Sequence, residues 1–322
     1  MKEIGGYFEL NEYNLPMLYD NLLKFNSGRN CLAYLIETKK IKKIYLPYYI
    51  CDSVIDTCKK YNLDIDYYDL NNDFMPINLE KTENSYLYVV NYFGQLNNYD
   101  KKYLLKKYNK IIIDNTQAYF DKPFKTCDNI YTCRKYFGVP DGALLYTDMI
   151  DNYQNLDTEI SYDKMKHILG RYEINASKFY NDYSSNEDDY SNKKILKMSK
   201  ISNNLLHGID YKMVKKIRNR NYNFLLKKLK FINKLSLRKV NGAYAYPLYL
   251  DDATELRKEL IENKIYVPTL WPNVLEDKYN TTKSYDFAKN IIPIPCDQRY
   301  TISDMERICN IIYPYFYKEV KK

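Results

Sequence analysis

The stretch Ile111-Ile112-Ile113-Asp114-Asn115-Thr116-Gln117-Ala118 decides the fold that the sequence predicts. Three consecutive isoleucines are typical of a short strand that is buried on both faces of a parallel sheet. The carboxylate of Asp114 leaves this strand at its carboxyl end, and a carboxylate that emerges from an apolar strand needs a partner. In open α/β sheets, ligands bind at the carboxyl ends of the strands. We therefore expect a ligand site beside Asp114.

Short apolar runs alternate with helix-period segments on both sides of this stretch, which predicts a mostly parallel sheet with helices on both faces. The predicted strands are 44–46, 63–70, 85–90, 110–113 and 144–147, and the predicted helices are 53–61 and 100–108. Pro47 and Asn91 follow two of these strands directly. Both residues are therefore expected at the same edge of the sheet as Asp114.

The rest of the chain predicts a second, smaller unit. Residues 150–200 are polar, and 182–192 is typical of an exposed loop or of a flap that covers a substrate. A helical stretch over 201–229, broken near Gly208, is followed by a strand at 243–250, a helix at 253–263, a strand at 265–267 and a helix at 303–317 broken at Pro314. We predict a large domain over residues 1–200 and a small α+β domain over 201–322.

Composition restricts the class of protein. The chain has 322 residues, of which 45% are hydrophobic, and no apolar run is long enough to predict a membrane span. Its seven cysteines form no CxxC pair and its start has no apolar signal region, so we expect reduced thiols in a cytoplasmic protein. The net charge of +8 comes from lysines spread along the chain, which favours a solvated basic surface over a nucleic-acid site. With two histidines, no histidine-rich metal site is expected.

A second segment, Thr132-Cys133-Arg134-Lys135-Tyr136-Phe137-Gly138-Val139-Pro140-Asp141-Gly142, supplies a lysine in a turn. Its glycines and proline favour a tight turn into the next strand. A lysine in such a turn, after an acid at a strand end, is what a pyridoxal-phosphate site needs. The amine forms a Schiff base and the carboxylate keeps the pyridine nitrogen protonated. The alternatives are a surface lysine in a basic run and an aspartate that only forms a turn.

In their order along the chain, these and other segments resemble the fold-type I pyridoxal-phosphate enzymes, and within them the sugar aminotransferases of the DegT/DnrJ/EryC1/StrS family. The resemblance runs through Ser27-Gly28-Arg29-Asn30, Leu46-Pro47, Val90-Asn91-Tyr92-Phe93-Gly94-Gln95, Asp114 with Gln117, Lys135 with Gly142, and Ile294-Pro295-Cys296-Asp297-Gln298-Arg299-Tyr300. It covers nearly the whole chain. It implies a large α/β domain with a mostly parallel sheet of about seven strands and a small C-terminal α+β domain.

The resemblance also implies roles for residues near the cofactor ring. Lys135 would hold pyridoxal phosphate, and Asp114 would face the ring nitrogen. Gln117 would lie close to the ring, and Asn91 would contact its 3′-oxygen, although an ordinary loop amide and a turn asparagine are equally open for these two. Tyr49 is the candidate for stacking on the ring.

The phosphate of the cofactor is expected at two segments. Gly28, Arg29 and Asn30 precede an apolar helix, and a helix N-terminus binds anions through its free N–H groups. The family usually has Ser-Gly-Thr there, so Arg29 and Asn30 are departures. Thr132, three residues before Lys135, is the second candidate, although the family more often has a serine at the position of Ile130. Arg299 is a candidate for binding a substrate phosphate or carboxylate, with a surface ion pair as the alternative.

The function that the resemblance implies is transfer of an amino group from an amino acid, with glutamate as the expected donor, to a keto-sugar carried on a nucleotide. It further implies a homodimer with a shared active site and a place in polysaccharide biosynthesis, with Arg218, Arg220 and Asn221 as candidates for contributing across subunits. Two alternatives stay open. One is another pyridoxal-phosphate reaction, although dehydratases of this family typically replace the Schiff-base lysine by histidine. The other is a catalytically silent homologue, because the chain departs from the family at Arg29, Ile130 and Ala143.

Overall fold

The computed structural model describes residues 4–80, 84–189 and 194–319. The first part of the chain forms β1 Leu23–Phe25, α1 Gly28–Thr38, β2 Lys43–Pro47, α2 Asp52–Lys60, β3 Asp64–Leu70, β4 Pro76–Ile77, β5 Tyr86–Val90, α3 Asn98–Lys107, β6 Ile111–Asp114, β7 Asp128–Thr132 and β8 Ala143–Tyr146. The remainder forms α4 Lys166–Glu173, α5 Tyr180–Asp189, α6 Lys200–Leu206, α7 Tyr211–Leu229, β9 Tyr246–Tyr249, α8 Thr254–Glu262, α9 Lys283–Asn290, β10 Ile291–Ile294 and α10 Ile302–Glu319.

One sheet carries the strands of the first part, in the order β1-β8-β7-β6-β5-β2-β3-β4. Five neighbouring strands pair in parallel, in the order β7-β6-β5-β2-β3, whereas β8 pairs antiparallel with both β7 and β1. The short β4 adds an antiparallel edge to the expected strands. This confirms the predicted α/β fold with a mostly parallel sheet.

The centre of the sheet is apolar, as the isoleucine run predicted. Ile111, Ile112 and Ile113 of β6 are all buried. Complete burial of such a side chain contributes about 1.5–3 kcal/mol. In the register of the sheet, Val90 of β5 pairs with Asp114 of β6, and Asp114 pairs with Ile130 of β7. The carboxyl ends of three neighbouring strands therefore meet at Asp114.

β7 was missed by the sequence analysis, although it leads directly to Lys135. Its sequence Asp-Asn-Ile-Tyr-Thr does not show the apolar run of a central strand. The structure buries Asn129 there because its amide donates to the carbonyls of Phe124 and Cys127 and its Oδ1 accepts from the Phe124 N–H. A buried polar side chain with all these partners is compatible with a central strand.

Three details of the second part differ from the prediction. Residues 265–267 form no strand, and β10 pairs antiparallel with β9 instead. α10 continues through Pro314, although proline lacks the N–H that would bond to the carbonyl of Asn310, a residue on the exposed face of the helix. The described part of the expected loop at 182–192 is helical, as α5 extends to Asp189, and 190–193 lie outside the described residues.

Other predictions for this part are confirmed. The helical stretch divides into α6 and α7 around Gly208. A separate apolar cluster joins α7, α8 and α10 to the two strands β9 and β10. Within the described ranges, no helix is both long and apolar enough to cross a membrane. The domain boundary at residue 200 stays a prediction.

Candidate active site

Asp114 lies at the end of β6 and is buried. Its Oδ2 accepts a hydrogen bond from the phenol of Tyr88 on β5 at 2.9 Å, and its Oδ1 accepts from the Thr116 N–H at 2.8 Å. Burial and the charge of Asp114 raise the pKa of Tyr88, so this phenol stays a donor. Asp114 forms no salt bridge with any residue that the structure describes. A buried carboxylate with neutral partners alone has capacity for a cationic donor.

Two amide side chains follow the ends of neighbouring strands, Asn91 after β5 and Gln117 three residues after Asp114, and they differ in how many of their hydrogen-bonding groups have partners. The amide of Asn91 donates to Asn115 and Asp121, each at 3.0 Å, and its Oδ1 accepts from the Leu96 N–H at 2.9 Å. Gln117 accepts from the Phe93 N–H at 2.9 Å, but its buried Nε2 has no hydrogen-bond partner in the described part of the chain. Leaving a buried donor unpaired costs about 1–3 kcal/mol. Gln117 therefore has a donor available for a ligand.

The two segments predicted to bind phosphate meet in space. Gly28 begins α1, and a Cβ atom placed on it would lie 3.0 Å from Oγ1 of Thr132 at the end of β7. The helix is capped by Ser27, whose side chain accepts from the Asn30 N–H. The first N–H groups of a helix have no partner within it. Gly28 and Thr132 therefore enclose a narrow space at a helix N-terminus, which suits an anion.

The side chains of Arg29 and Asn30 already have protein partners. The amide of Asn30 donates to Oδ1 of Asn26 at 2.7 Å and to the carbonyl of Lys194 at 2.6 Å. Arg29 donates to the carbonyl of Glu187 on α5 at 3.3 Å. The Asn30 N–H also has a partner, since it donates to Ser27 at 3.3 Å, whereas Arg29 retains further donors.

Lys135 lies in the turn between β7 and β8, and its side chain is exposed. Its Nζ is 5.9 Å from the centre of the Tyr244 ring, and no described carboxylate pairs with it. The neighbouring Arg134 forms an ion pair with Glu187. The turn closes at Gly142, where φ is +120° and where a Cβ atom would lie 3.1 Å from the Met198 side chain, so only glycine suits this position.

Tyr49 and Arg299 lie in settings that the sequence did not reveal. The Tyr49 ring is fully buried, with ring centres 5.2 Å from Tyr92 and 5.0 Å from Trp271. Arg299 forms two hydrogen bonds of 2.8 Å to Asp297. Burial opposes ionisation of Asp297, but the hydrogen bonds and charge of Arg299 hold the pKa of this carboxyl below its usual value. The guanidinium fork of Arg299 thus already binds a carboxylate of its own chain.

A cavity of about 630 Å³ opens between α1 and α2, beside the predicted phosphate segment. Arg29, Asn30, Cys51 and Glu187 belong to its lining. Asp114, Gln117, Thr132 and Lys135 are not among the lining residues. The structure therefore brings Gly28 and Thr132 together, but of the predicted cofactor-binding residues this cavity contacts only Arg29 and Asn30.

Comparisons with known proteins give the fold a precedent. No family model matches the chain, and no curated protein matches it. Among solved structures, a DegT DnrJ EryC1 StrS aminotransferase from Brucella abortus has a TM-score of 0.63 at 14% identity, covering 91% of this chain and 85% of that one. The sugar aminotransferase CalS13 from Micromonospora echinospora has a TM-score of 0.62 at 12% identity, covering 90% and 86%.

A third solved structure is an E. coli GDP-4-keto-6-deoxy-D-mannose-3-dehydratase with bound hydrated pyridoxal phosphate. Its TM-score is 0.61 at 13% identity, and the match covers 90% of this chain and 86% of that one. The chain has the DegT/DnrJ/EryC1/StrS aminotransferase fold. This confirms the predicted fold class. At these identities the likeness concerns the aminotransferase fold alone.

The residues at the carboxyl edge of this aminotransferase fold fit pyridoxal phosphate chemically. Asp114 offers a buried carboxylate without a cation, and Gln117 offers an unpaired buried donor. Gly28 and Thr132 leave a space that a Cβ atom would fill. Lys135 offers an amine without a carboxylate partner. The individual roles of these residues stay predictions.

The sequence analysis assigned no role to three side chains near the site, Tyr88, Tyr244 and Gln298, and gave Arg218 a different one. Tyr88 binds Asp114, and Tyr244 lies next to the Lys135 amine. Arg218 and Gln298 both donate to the carbonyl of Tyr136, directly after Lys135. The sequence suggests Arg218 for a contribution to a second subunit, whereas the structure buries it among groups of its own chain. Arg218 lies 82 residues and Gln298 lies 162 residues from Tyr136 in the sequence. Spacing along the sequence therefore could not predict these two contacts.

Proposed function

We propose that this protein is a pyridoxal-phosphate-dependent aminotransferase that moves an amino group from an amino acid to a keto-sugar nucleotide. The observation that carries the proposal is the Asp114 carboxylate, buried without a cation one strand away from the Lys135 turn. A protonated pyridine nitrogen is the partner that such a carboxylate lacks. The similar solved structures include a sugar aminotransferase, so the fold also supports aminotransferase activity.

Each residue would have a separate task in this function. Bound pyridoxal phosphate supplies the electron sink. The Asp114 carboxylate would keep the ring nitrogen protonated, and the Lys135 amine would hold the cofactor and act as the base for the proton of the donor's Cα. The N–H groups of Gly28 and Arg29, together with the Thr132 hydroxyl, would hold the phosphate. The Asn30 N–H would join them only by exchanging its hydrogen bond to Ser27 for one to the phosphate. Gln117 and Asn91 contact the ring, and Tyr49 is the candidate for stacking on it.

The proposed substrate class rests on the fold and on the activities named for the similar solved structures. Two of the similar structures are aminotransferases, and CalS13 is a sugar aminotransferase. We propose glutamate as the amino donor, a keto-sugar nucleotide as the acceptor, and polysaccharide biosynthesis as the setting. A cytoplasmic homodimer with a shared active site belongs to the same proposal, because the exposed Lys135 amine needs a cover that excludes water.

A second candidate is a dehydratase that uses the same cofactor. The observation that favours it is the E. coli dehydratase with hydrated pyridoxal phosphate, which has this fold. Lys135 counts against it, because dehydratases of the family typically have a histidine at that place. The third alternative, a catalytically silent homologue, follows from the departures at Arg29, Ile130 and Ala143.

The test is cofactor attachment followed by turnover. Purified protein is incubated with pyridoxal phosphate, reduced with borohydride and digested, and the labelled peptide is identified by mass spectrometry. We expect the label on Lys135 and its loss in Lys135→Arg, while Lys125→Arg, also on the surface of the same region, keeps it. A label on another lysine contradicts the assignment. Glutamate-dependent amination of a panel of keto-sugar nucleotides then separates aminotransferase, dehydratase and silent homologue.

A further inference from the structure

Arg218 of α7 is buried at 2% exposure and forms no salt bridge with any carboxylate that the structure describes. A buried cation without a carboxylate is costly, and it persists only where its hydrogen bonds are well satisfied. Burial lowers the pKa of Arg218, and the charges of Tyr136 and of the nearby Asp297, which pairs with Arg299, only partly oppose this, yet a guanidinium stays charged at neutral pH. The position therefore calls for an explanation beyond packing.

The partners of Arg218 come from three separate segments. Its Nε donates to Oε1 of Gln298 at 2.6 Å, its Nη1 to the carbonyl of Ala243 at 2.7 Å, and its Nη2 to the carbonyl of Tyr136 at 3.3 Å. The guanidinium carbon lies 4.3 Å from the centre of the Tyr136 ring, within the range of a cation–π interaction. One side chain thus joins the Lys135 turn to the segments before β9 and after β10.

Gln298 makes the same connection a second time. Its Nε2 donates to the Tyr136 carbonyl at 2.7 Å, while its Oε1 accepts from Arg218. The carbonyl of the residue that follows Lys135 therefore has two donors, both from the second part of the chain. Tyr244, next to Ala243, contributes the ring that lies closest to the Lys135 amine.

We infer that Arg218 and Gln298 are positioning residues that hold the Lys135 turn through the Tyr136 carbonyl. This inference rests on the proposed function, in which Lys135 carries the cofactor. A reacting group needs a fixed geometry, and a misplacement of about 1 Å costs on the order of 100-fold in rate. Docking of the second part of the chain then sets where the Lys135 amine lies, although neither residue touches the cofactor.

The test compares Arg218→Met and Gln298→Leu with the control Arg220→Met. Arg220 lies on the same helix and is exposed, and its guanidinium bonds to Asn221 and to the Tyr300 carbonyl without reaching the turn. Amide hydrogen exchange of the peptide 133–142 is measured without cofactor. The Tyr136 and Phe137 N–H groups both donate to the Cys133 carbonyl, so they report on the turn directly.

We expect exchange in 133–142 to be about tenfold faster in Arg218→Met and Gln298→Leu, and unchanged in the control, because local opening becomes less costly. Exchange of β6 should stay the same in all three variants. Equal exchange of 133–142 in all variants would overturn the inference. If Arg218→Met does not fold, Gln298→Leu decides, because Gln298 is only half-buried and its loss removes both of its bonds.

A second measurement separates positioning from general stability. The rate at which borohydride fixes pyridoxal phosphate to Lys135 should fall about tenfold in both variants, while the noncovalent affinity for the cofactor changes less than about threefold. Arg218→Lys should not restore the rate, because one ammonium cannot serve three acceptors in the arrangement of a guanidinium. Restoration by lysine overturns the inference, since charge alone would then suffice. If wild-type protein binds no cofactor, the proposed function fails, whereas the exchange measurement still decides the role of Arg218.

Discussion

Among the residues that the structure describes, neither Asp114 nor Asp141 has a cationic partner, and both carboxylates are buried, yet their surroundings differ. Asp141, at the other end of the Lys135 turn, accepts hydrogen bonds from the Ser199 N–H at 2.8 Å, from the hydroxyl of Ser199 at 2.5 Å, and from the hydroxyl of Ser202. Asp114 accepts two, from Tyr88 and Thr116. A carboxylate that accepts many hydrogen bonds from its own protein has a structural role, whereas one that accepts few can still bind a ligand.

The largest expected effect is on activity at Asp114. Asp114→Asn should lower aminotransferase activity by about 100- to 10,000-fold, the range for loss of a group that controls a proton in the reaction. The free energy of unfolding should change by less than about 1.5 kcal/mol, because asparagine still accepts a hydrogen bond. Steady-state kinetics and urea denaturation measure the two effects. Full activity in this variant would remove the basis of the proposed function.

Asp141 should show the reverse pattern, which is the second largest effect. Asp141→Ala should lower the free energy of unfolding by about 3 kcal/mol, since it leaves several buried donors without an acceptor. Urea denaturation of this variant beside Asp114→Ala gives the comparison. If Asp114→Ala proves the more destabilising of the two, saturation does not distinguish structural from functional carboxylates in this protein.

A substitution at Gly28 tests whether the predicted phosphate site binds the cofactor. Gly28→Ala places a Cβ atom 3.0 Å from Oγ1 of Thr132, in the space proposed for the phosphate. We expect the affinity for pyridoxal phosphate to fall by about tenfold, or about 1.4 kcal/mol. Gly138→Ala is the matched control, because its Cβ would make an ordinary contact of 3.5 Å with Ile168. Equal affinities in the two variants, measured by absorbance titration, would place the phosphate elsewhere.

The smallest effect concerns pH. Burial raises the pKa of Asp141, and the nearby Glu159 adds to this, while the hydroxyl hydrogen bonds oppose it. The native state therefore keeps a proton that the unfolded state has lost, so stability falls as pH rises from about 4 to the native pKa, by at most about 1.4 kcal/mol per pH unit. In Asp141→Asn this contribution should vanish. The difference between the two unfolding profiles isolates it, and parallel profiles would contradict it.

Much of the fold could be predicted from sequence because local patterns specify it. The isoleucines of β6, the alternation of β3 and the break before α7 each depend on neighbouring residues alone. β7 could not be predicted, because the burial of Asn129 depends on carbonyls of a loop that the pattern does not show. The α10 break was predicted from Pro314 alone, without knowledge of the exposure of Asn310.

The candidate site also contains some residues whose places the sequence could predict and others whose partners it could not. Asp114, Gln117, Thr132 and Lys135 follow strand ends or turns, so their places in the sequence indicate their places at the sheet edge. The use of the Asn30 amide could not be predicted, since its partner Lys194 lies 164 residues away. Arg299 is a different case, because its guanidinium is bound by Asp297, only two residues away, as in the ion pair that the sequence left open as the alternative. Long-range partners decide which side chains are still available.

The contacts of Arg218 with Ala243 and Tyr136 involve main-chain oxygens. The two hydrogen bonds do not depend on which side chains occupy positions 136 and 243, although the Tyr136 ring adds a contact of its own to the guanidinium. Tyr244, whose ring centre lies 5.9 Å from the Lys135 amine, can therefore be varied without removing either hydrogen bond of Arg218. Substitutions at Tyr244 that preserve Arg218 and Gln298 would change the surroundings of Lys135 while the turn keeps its support.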